Sequence, residues 1–126
     1  MRPRRIYETV VYARDLDAAR AFYRDVLGLR EVEEGAFRLD DDAMLLLFDP
    51  TRSSQPGRGV PSHGPSGGSV HLAFSVESLD GWLERFAEHG VELEQDHEWP
   101  QGGHSLYVRD PAGNSVELVE GDLWPS

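Results

Sequence analysis

Cysteine and lysine are both missing from this 126-residue chain. Without cysteine there is no disulfide, no thiolate nucleophile and no zinc–cysteine site. All 12 basic residues are arginine. With no lysine amine, Schiff-base chemistry and attachment of pyridoxal phosphate are closed to it. Long apolar runs are missing as well: nothing approaches the roughly 18 residues of a membrane span. Met1 to Ile6 is charged where a signal peptide would be apolar. Positive charge is scarce, with 12 Lys+Arg against 23 Asp+Glu and a formal net charge of -11. A nucleic-acid binder needs a basic patch, and only Arg2, Arg4 and Arg5 cluster. The expectation is a cytoplasmic protein that binds neither nucleic acid nor membrane. The acidity favours solubility and identifies no substrate. What remains is an ordinary globular composition, 39% hydrophobic and 28% charged, at single-domain length.

The chain repeats itself. Ile6–Ala13 reads as a strand, and Asp15 as the N-cap of a helix carrying Leu16, Ala19, Phe22, Tyr23 and Val26, with Gly28 ending it. Short strands are expected near Leu29–Glu33 and Ala36–Leu39, and a stronger one over Ala43–Phe48. Residues 51–68, rich in Pro, Gly and Ser, read as a linker that can double as a lid. The order then recurs. Ser69–Val76 is a strand, Ser78 caps a helix carrying Leu79, Trp82, Leu83 and Phe86, and Gly90 stops it. Val91–Glu98 and His104–Arg109 are strands, Asp110-Pro111-Ala112-Gly113-Asn114 is a turn, and Ser115–Val119 closes the chain. The expected fold is α+β, one domain of two tandem βαβββ units, unit 1 at about 4–50 and unit 2 at about 69–120.

Equivalent points of the two units carry ligand-type residues. Glu8 stands seven residues before Asp15-Leu16-Asp17, and His71 seven before Ser78-Leu79-Asp80. In Ser69–Val76 the large residues Val70, Leu72, Phe74 and Val76 alternate toward the helix, which leaves His71 on the face of Ser69, Ala73 and Ser75. Likewise Glu117 falls opposite in parity to Val116 and Leu118. A five-residue turn would set Arg109, Tyr107 and Ser105 against Ser115, Glu117 and Val119, making Tyr107 and Glu117 neighbours on one face.

Asp15-Leu16-Asp17…Phe22-Tyr23…Leu27-Gly28-Leu29, His71-Leu72-Ala73-Phe74 and above all Tyr107-Val108-Arg109-Asp110-Pro111-Ala112-Gly113-Asn114-Ser115-Val116-Glu117-Leu118 resemble the vicinal oxygen chelate superfamily, which holds glyoxalase I, bleomycin-resistance proteins, extradiol dioxygenases and fosfomycin-modifying enzymes. The resemblance covers nearly the whole chain. It implies that the two sheets curl into a cup around a divalent metal, with Glu8, His71 and Glu117 as ligands. Where glyoxalase I adds a ligand on the last strand of its first unit, alignment of Leu45-Leu46-Leu47-Phe48 with Val116-Glu117-Leu118-Val119 places Leu46. The donor set becomes one His and two carboxylates rather than the two His and one carboxylate of non-haem iron oxygenases. It suits Mn, Ni, Co, Zn, Mg or Fe(II).

The implied function is a metal-dependent lyase or isomerase acting on a small molecule with vicinal oxygens through an enolate or alkoxide. The cation acts as Lewis acid, Glu117, Tyr107 and His104 are the catalytic candidates, and His63 is a further acid/base candidate that reads more simply as solvated. Ser105, Arg109, Trp99 and Phe48 are the substrate-binding candidates. Ser105 and Tyr107 match a Ser-x-Tyr pair ahead of the metal Glu in fosfomycin-modifying enzymes. Alternatives are a non-catalytic drug binder of bleomycin-resistance type, a fosfomycin-type thiol transferase and a ring-cleaving dioxygenase. The resemblance also implies a homodimer, in which Glu8 can serve the partner's site.

Overall fold

Glu8-Thr9-Val10-Val11-Tyr12 is rich in β-branched and aromatic side chains and forms β1 (Glu8–Tyr12) of the computed structural model, which describes residues 1–57, 59–65 and 70–125. Asp15 turns the chain into α1 (Leu16–Ala21), its carboxylate accepting from the Ala18 N–H at 3.0 Å. Over Phe22–Val26 the helix widens into a π-turn, with Leu27 N–H donating to the Phe22 carbonyl at 3.1 Å. Apolar spacing alone does not report this extra residue, because Phe22, Tyr23 and Val26 are buried within the widened turn as an α-turn would bury them. Gly28 closes the helix at φ 74°.

β2 (Arg30–Glu33), β3 (Ala36–Arg38) and β4 (Met44–Phe48) follow. The sheet order is β1-β4-β3-β2, with β1 parallel to β4 and the other pairs antiparallel. Val11, Phe37, Leu45 and Leu47 are buried on one face, and the Tyr23 ring meets Phe37 at 6.1 Å. The linker opens with a short helix that its Pro, Gly and Ser content does not announce, α2 (Pro50–Ser53), started by Asp49 accepting from Thr51 N–H at 2.9 Å. The lid reading of 51–68 includes positions 58 and 66–68, which lie outside the described residues, as does Ser69 at the expected start of the next strand.

The second unit has the same plan: β5 (His71–Val76), α3 (Trp82–Glu88), β6 (Gln95–Glu98), β7 (His104–Arg109) and β8 (Ser115–Glu120), in the order β5-β8-β7-β6 with β5 parallel to β8. Contacts divide the chain into Met1–Gly68 and Ser69–Ser126. The fold is α+β with two tandem units. Leu106, Val108, Val116 and Leu118 form the buried face of the second sheet, and Phe86 is the buried residue of α3. Ser78 does not cap α3. Its hydroxyl accepts from Asp80 N–H at 3.0 Å in a local turn, and the helix begins after Gly81 at φ 84°. β6 is also shorter than expected, starting at Gln95, although Glu94 N–H still donates to the Tyr107 carbonyl of β7 at 2.8 Å.

The turn after β7 is built as its sequence requires. Asp110, buried, accepts from Ala112 N–H at 2.9 Å and Asn114 N–H at 2.8 Å, and Gly113 takes φ 85°. Asn114 accepts in turn from Val70 N–H at 3.1 Å, which ties the turn to the approach to β5. Among the described residues no helix is long and apolar enough to cross a membrane.

Candidate metal centre

The β5–β8–β7 register fixes which side chains meet. Ala73 pairs with Glu117, His71 with Ser115, and Tyr107 with Glu117. Residues directly opposite share a face, so His71, Ser115, Glu117, Tyr107 and Ser105 stand on the face opposite the buried apolar one. This is the register that parity and the five-residue turn imply. Across it, His71 Nε2 lies 3.2 Å from Glu117 Oε1. Ser115 Oγ lies 3.2 Å from His71 Nδ1, and the imidazole stacks on Tyr107 with centroids 6.3 Å apart.

Glu117 is 5% exposed, and a carboxylate so placed needs partners. Ser105, fully buried, donates to Oε2 at 2.5 Å and accepts from the indole Nε1–H of Trp99 at 2.8 Å. Tyr107 is held in its neutral form: burial pushes its phenol pKa up, and the neighbouring Glu117 charge adds to the effect. Its hydroxyl is therefore a donor beside the carboxylate.

The donor pair fits a cation. Two ligands each about 2.1 Å from one metal at a right angle lie about 3 Å apart, close to the His71–Glu117 separation. Imidazole nitrogen with carboxylate oxygen is a usual set for divalent first-row metals, and Ser115 on the other ring nitrogen is the kind of contact that orients a ligating His. Among the described residues no group of three or more His, Asp or Glu side chains is placed to hold a metal ion. Glu8, the third expected ligand, is exposed on β1 of the first unit.

The first unit preserves the positional equivalence. Val10 pairs with Leu46, as Ala73 pairs with Glu117. Val10 follows Glu8 by two residues and Ala73 follows His71 by two, so Leu46 stands where the second unit has its carboxylate. Phe48 shares that face, its ring edge-on to His63 at 4.7 Å. His63 is more organised than its Gly/Pro surroundings suggest. Its Nδ1 lies 2.6 Å from the Tyr12 hydroxyl, and its carbonyl accepts from the buried Ser53 hydroxyl at 2.8 Å.

The remaining candidates are placed differently from the expectation. His104 immediately precedes Ser105, and successive strand residues face opposite ways. It therefore stands on the other face from Tyr107 and Glu117 and pairs with Asp96 at 2.5 Å. Arg109 is engaged by Glu94, at 2.8 and 3.1 Å, and by the Gly113 carbonyl at 3.0 Å, so its clamp is already filled from within the chain. Trp99 is half-buried with its indole N–H committed to Ser105. His97 packs against it at 4.4 Å and pairs with Ser105 across β6–β7. Strand parity from Ser105 would have found His97 once the β6–β7 register was known.

The Glyoxalase/Bleomycin resistance protein/Dioxygenase superfamily model matches residues 5–118, and the chain belongs to that family. A solved lactoylglutathione lyase from Agrobacterium tumefaciens is 45% identical, with 98% of each chain covered and a TM-score of 0.85. Biphenyl-2,3-diol 1,2-dioxygenase 3 of Rhodococcus globerulus is 32% identical over 90% of this chain, which spans only 62% of that protein's length. An ethylmalonyl-CoA/methylmalonyl-CoA epimerase of Cereibacter sphaeroides is 27% identical, covering 92% of this chain and 97% of the relative. A lyase, a dioxygenase and an epimerase thus share this sequence pattern, and function within the fold is decided at the site.

Proposed function

We propose that the chain is a divalent-metal-dependent lyase or isomerase acting on a small molecule with oxygens on adjacent carbons, of which a lactoyl group is one instance. The observation that carries this reading is the His71 Nε2–Glu117 Oε1 pair at 3.2 Å, set on the face of the sheet away from the apolar core. The likeness to the Agrobacterium lyase supports the reaction class. Glu8, contributed by a second copy of the chain in a homodimer, is the third ligand. Mn, Ni, Co, Zn, Mg and Fe(II) are the metals to screen. A bound cation supplies Lewis-acid polarisation of a carbonyl or hydroxyl oxygen.

The chain's own groups divide the rest of the work. Tyr107, kept protonated, donates a hydrogen bond to a substrate oxygen as negative charge develops on it. Glu117 presents Oε1 toward His71 while Ser105 holds Oε2. His71 is oriented through Ser115. His104, on the other face, has no part in this chemistry.

Metal content and metal-induced thermal shift of the chelator-stripped protein test the reading, with His71→Ala beside wild type. Binding to the folded state raises stability, by about 2.7 kcal/mol at a hundredfold excess over Kd. The expected result is a stoichiometric metal and a shift of several degrees that His71→Ala abolishes. No metal and no shift across the series overturns the enzyme reading and favours a drug-binding protein.

A further inference from the structure

We propose that Trp99 and Ser105 are positioning residues that lock Glu117 as a one-oxygen donor, with Oε2 committed to the Ser105 hydroxyl and Oε1 alone turned to His71. This rests on the metal reading of the His71–Glu117 pair.

The argument is one of hydrogen counting. A serine hydroxyl has a single hydrogen and two acceptor sites. The indole N–H can only donate, so at 2.8 Å it occupies an acceptor site of Ser105. A carboxylate can only accept, so at 2.5 Å it takes the serine hydrogen. Both ends are directional, and the relay has one polarity: Trp99 to Ser105 to Glu117. Ser105 is fully buried and Glu117 nearly so, so water does not readily substitute for either partner. The first donor is also fixed. The Trp99 backbone N–H donates to the Gly103 carbonyl at 2.8 Å and its own carbonyl accepts from Gly102 N–H at 3.0 Å, which sets the indole at the β6–β7 hairpin. His97 holds the ring edge-on from the same face.

A carboxylate free at both oxygens can chelate a cation in a four-membered ring, turn away, or take up a proton at either atom. Here one oxygen is already spent. The ligand is thereby presented in one orientation before any metal arrives, which lowers the ordering cost of binding, and the contact holds the oxygen that does not ligate, fixing the carboxylate's orientation. The indole thus does a job other than stacking on a substrate ring.

Cobalt(II) titration of the full chain, followed by visible absorption, tests this with wild type, Ser105→Ala, Trp99→Phe and the double variant. Ser105→Ala should bind Co(II) about 10–100-fold more weakly, with altered band intensity as Glu117 turns to bind through both oxygens. Trp99→Phe should shift both readouts the same way, by less. Because Trp99 acts through Ser105, the double variant should bind no more weakly than Ser105→Ala alone, and Ser105→Thr should restore wild-type affinity. Wild-type affinity and spectrum in Ser105→Ala, or fold-losses that multiply in the double variant, overturn the proposal. Should Ser105→Ala fail to fold, Trp99→Phe carries the test alone, and an unchanged spectrum there overturns it. If wild type binds Co(II) and His71→Ala does not, the metal reading stands whatever the relay does; if wild type binds none, both fall.

Discussion

His104 is the residue whose surroundings give it a pH signature. Its hydrogen bond to Asp96 holds its pKa above the usual histidine value, with Asp96, Glu98 and Glu120 adding charge and partial desolvation opposing them. A group whose folded pKa is raised stabilises the protein fully below its unfolded value, about 6.5. That contribution is lost as pH rises through the raised folded value. His104→Gln should therefore lower the thermal midpoint most below about pH 6.5 and have progressively less effect as pH rises through the raised folded value. A wild-type-minus-variant difference that stays constant across that range would count against the pair. His104 also marks the limit of residue-level reading. The alternation that puts His71 and Glu117 on the open face was visible from Val70-Leu72-Phe74-Val76 and Val116-Leu118. The same alternation, applied to His104 next to Ser105, already separates His104 from Tyr107. Arg109 and Trp99 were not legible in this way. Their roles depend on Glu94 and Ser105, partners set by the β6–β7 register, and β6 carries too little apolar alternation to fix that register in advance.

At the scale of elements, the turn between β7 and β8 governs the site. Within the buried turn Asp110 accepts from Ala112 N–H, Asn114 N–H and Asn114 Nδ2. Asp110→Ala strands those donors and should cost on the order of 2–4 kcal/mol, read as a lower urea midpoint at unchanged slope. It should also weaken metal binding, since the turn sets Tyr107 opposite Glu117. A loss below about 0.5 kcal/mol, the ordinary surface range, would mean that the ladder alone sets the register. This turn could be read directly because its chemistry is local: Pro111 presets φ, Gly113 supplies positive φ, and Asp110 bonds its own backbone. α3 shows the contrary case. Ser78 has the right type for a cap, but Glu120, 42 positions on, accepts the Leu79 N–H at 3.1 Å. Ser78 keeps its own bond to the Asp80 N–H, but Gly81 at φ 84° breaks the helical path, so the helix starts only at Trp82.

For the whole molecule, the repeat is the feature the sequence displays best, and the proposed sharing of Glu8 between two copies of the chain is tested at this scale. Glu8 and His71 hold equivalent positions, but Leu46 stands where Glu117 has its counterpart, so the His71–Glu117 pair has no equivalent within the first unit. Symmetric homo-oligomers meet through self-complementary surfaces. In a two-fold dimer each Glu8 can complete the other chain's pair, giving two identical sites. Mixing two defective proteins tests this. Neither Glu8→Ala nor His71→Ala has an intact site by itself. In a mixed dimer one site collects both defects, and the other receives Glu8 from the His71→Ala chain and His71 with Glu117 from the Glu8→Ala chain. After unfolding and refolding together, random pairing makes half the dimers mixed, so metal capacity and activity should return to about a quarter of wild type. Were Glu8 and His71 to serve the same site from a single chain, every site in the mixture would still carry one defect, and refolding the two together would recover nothing.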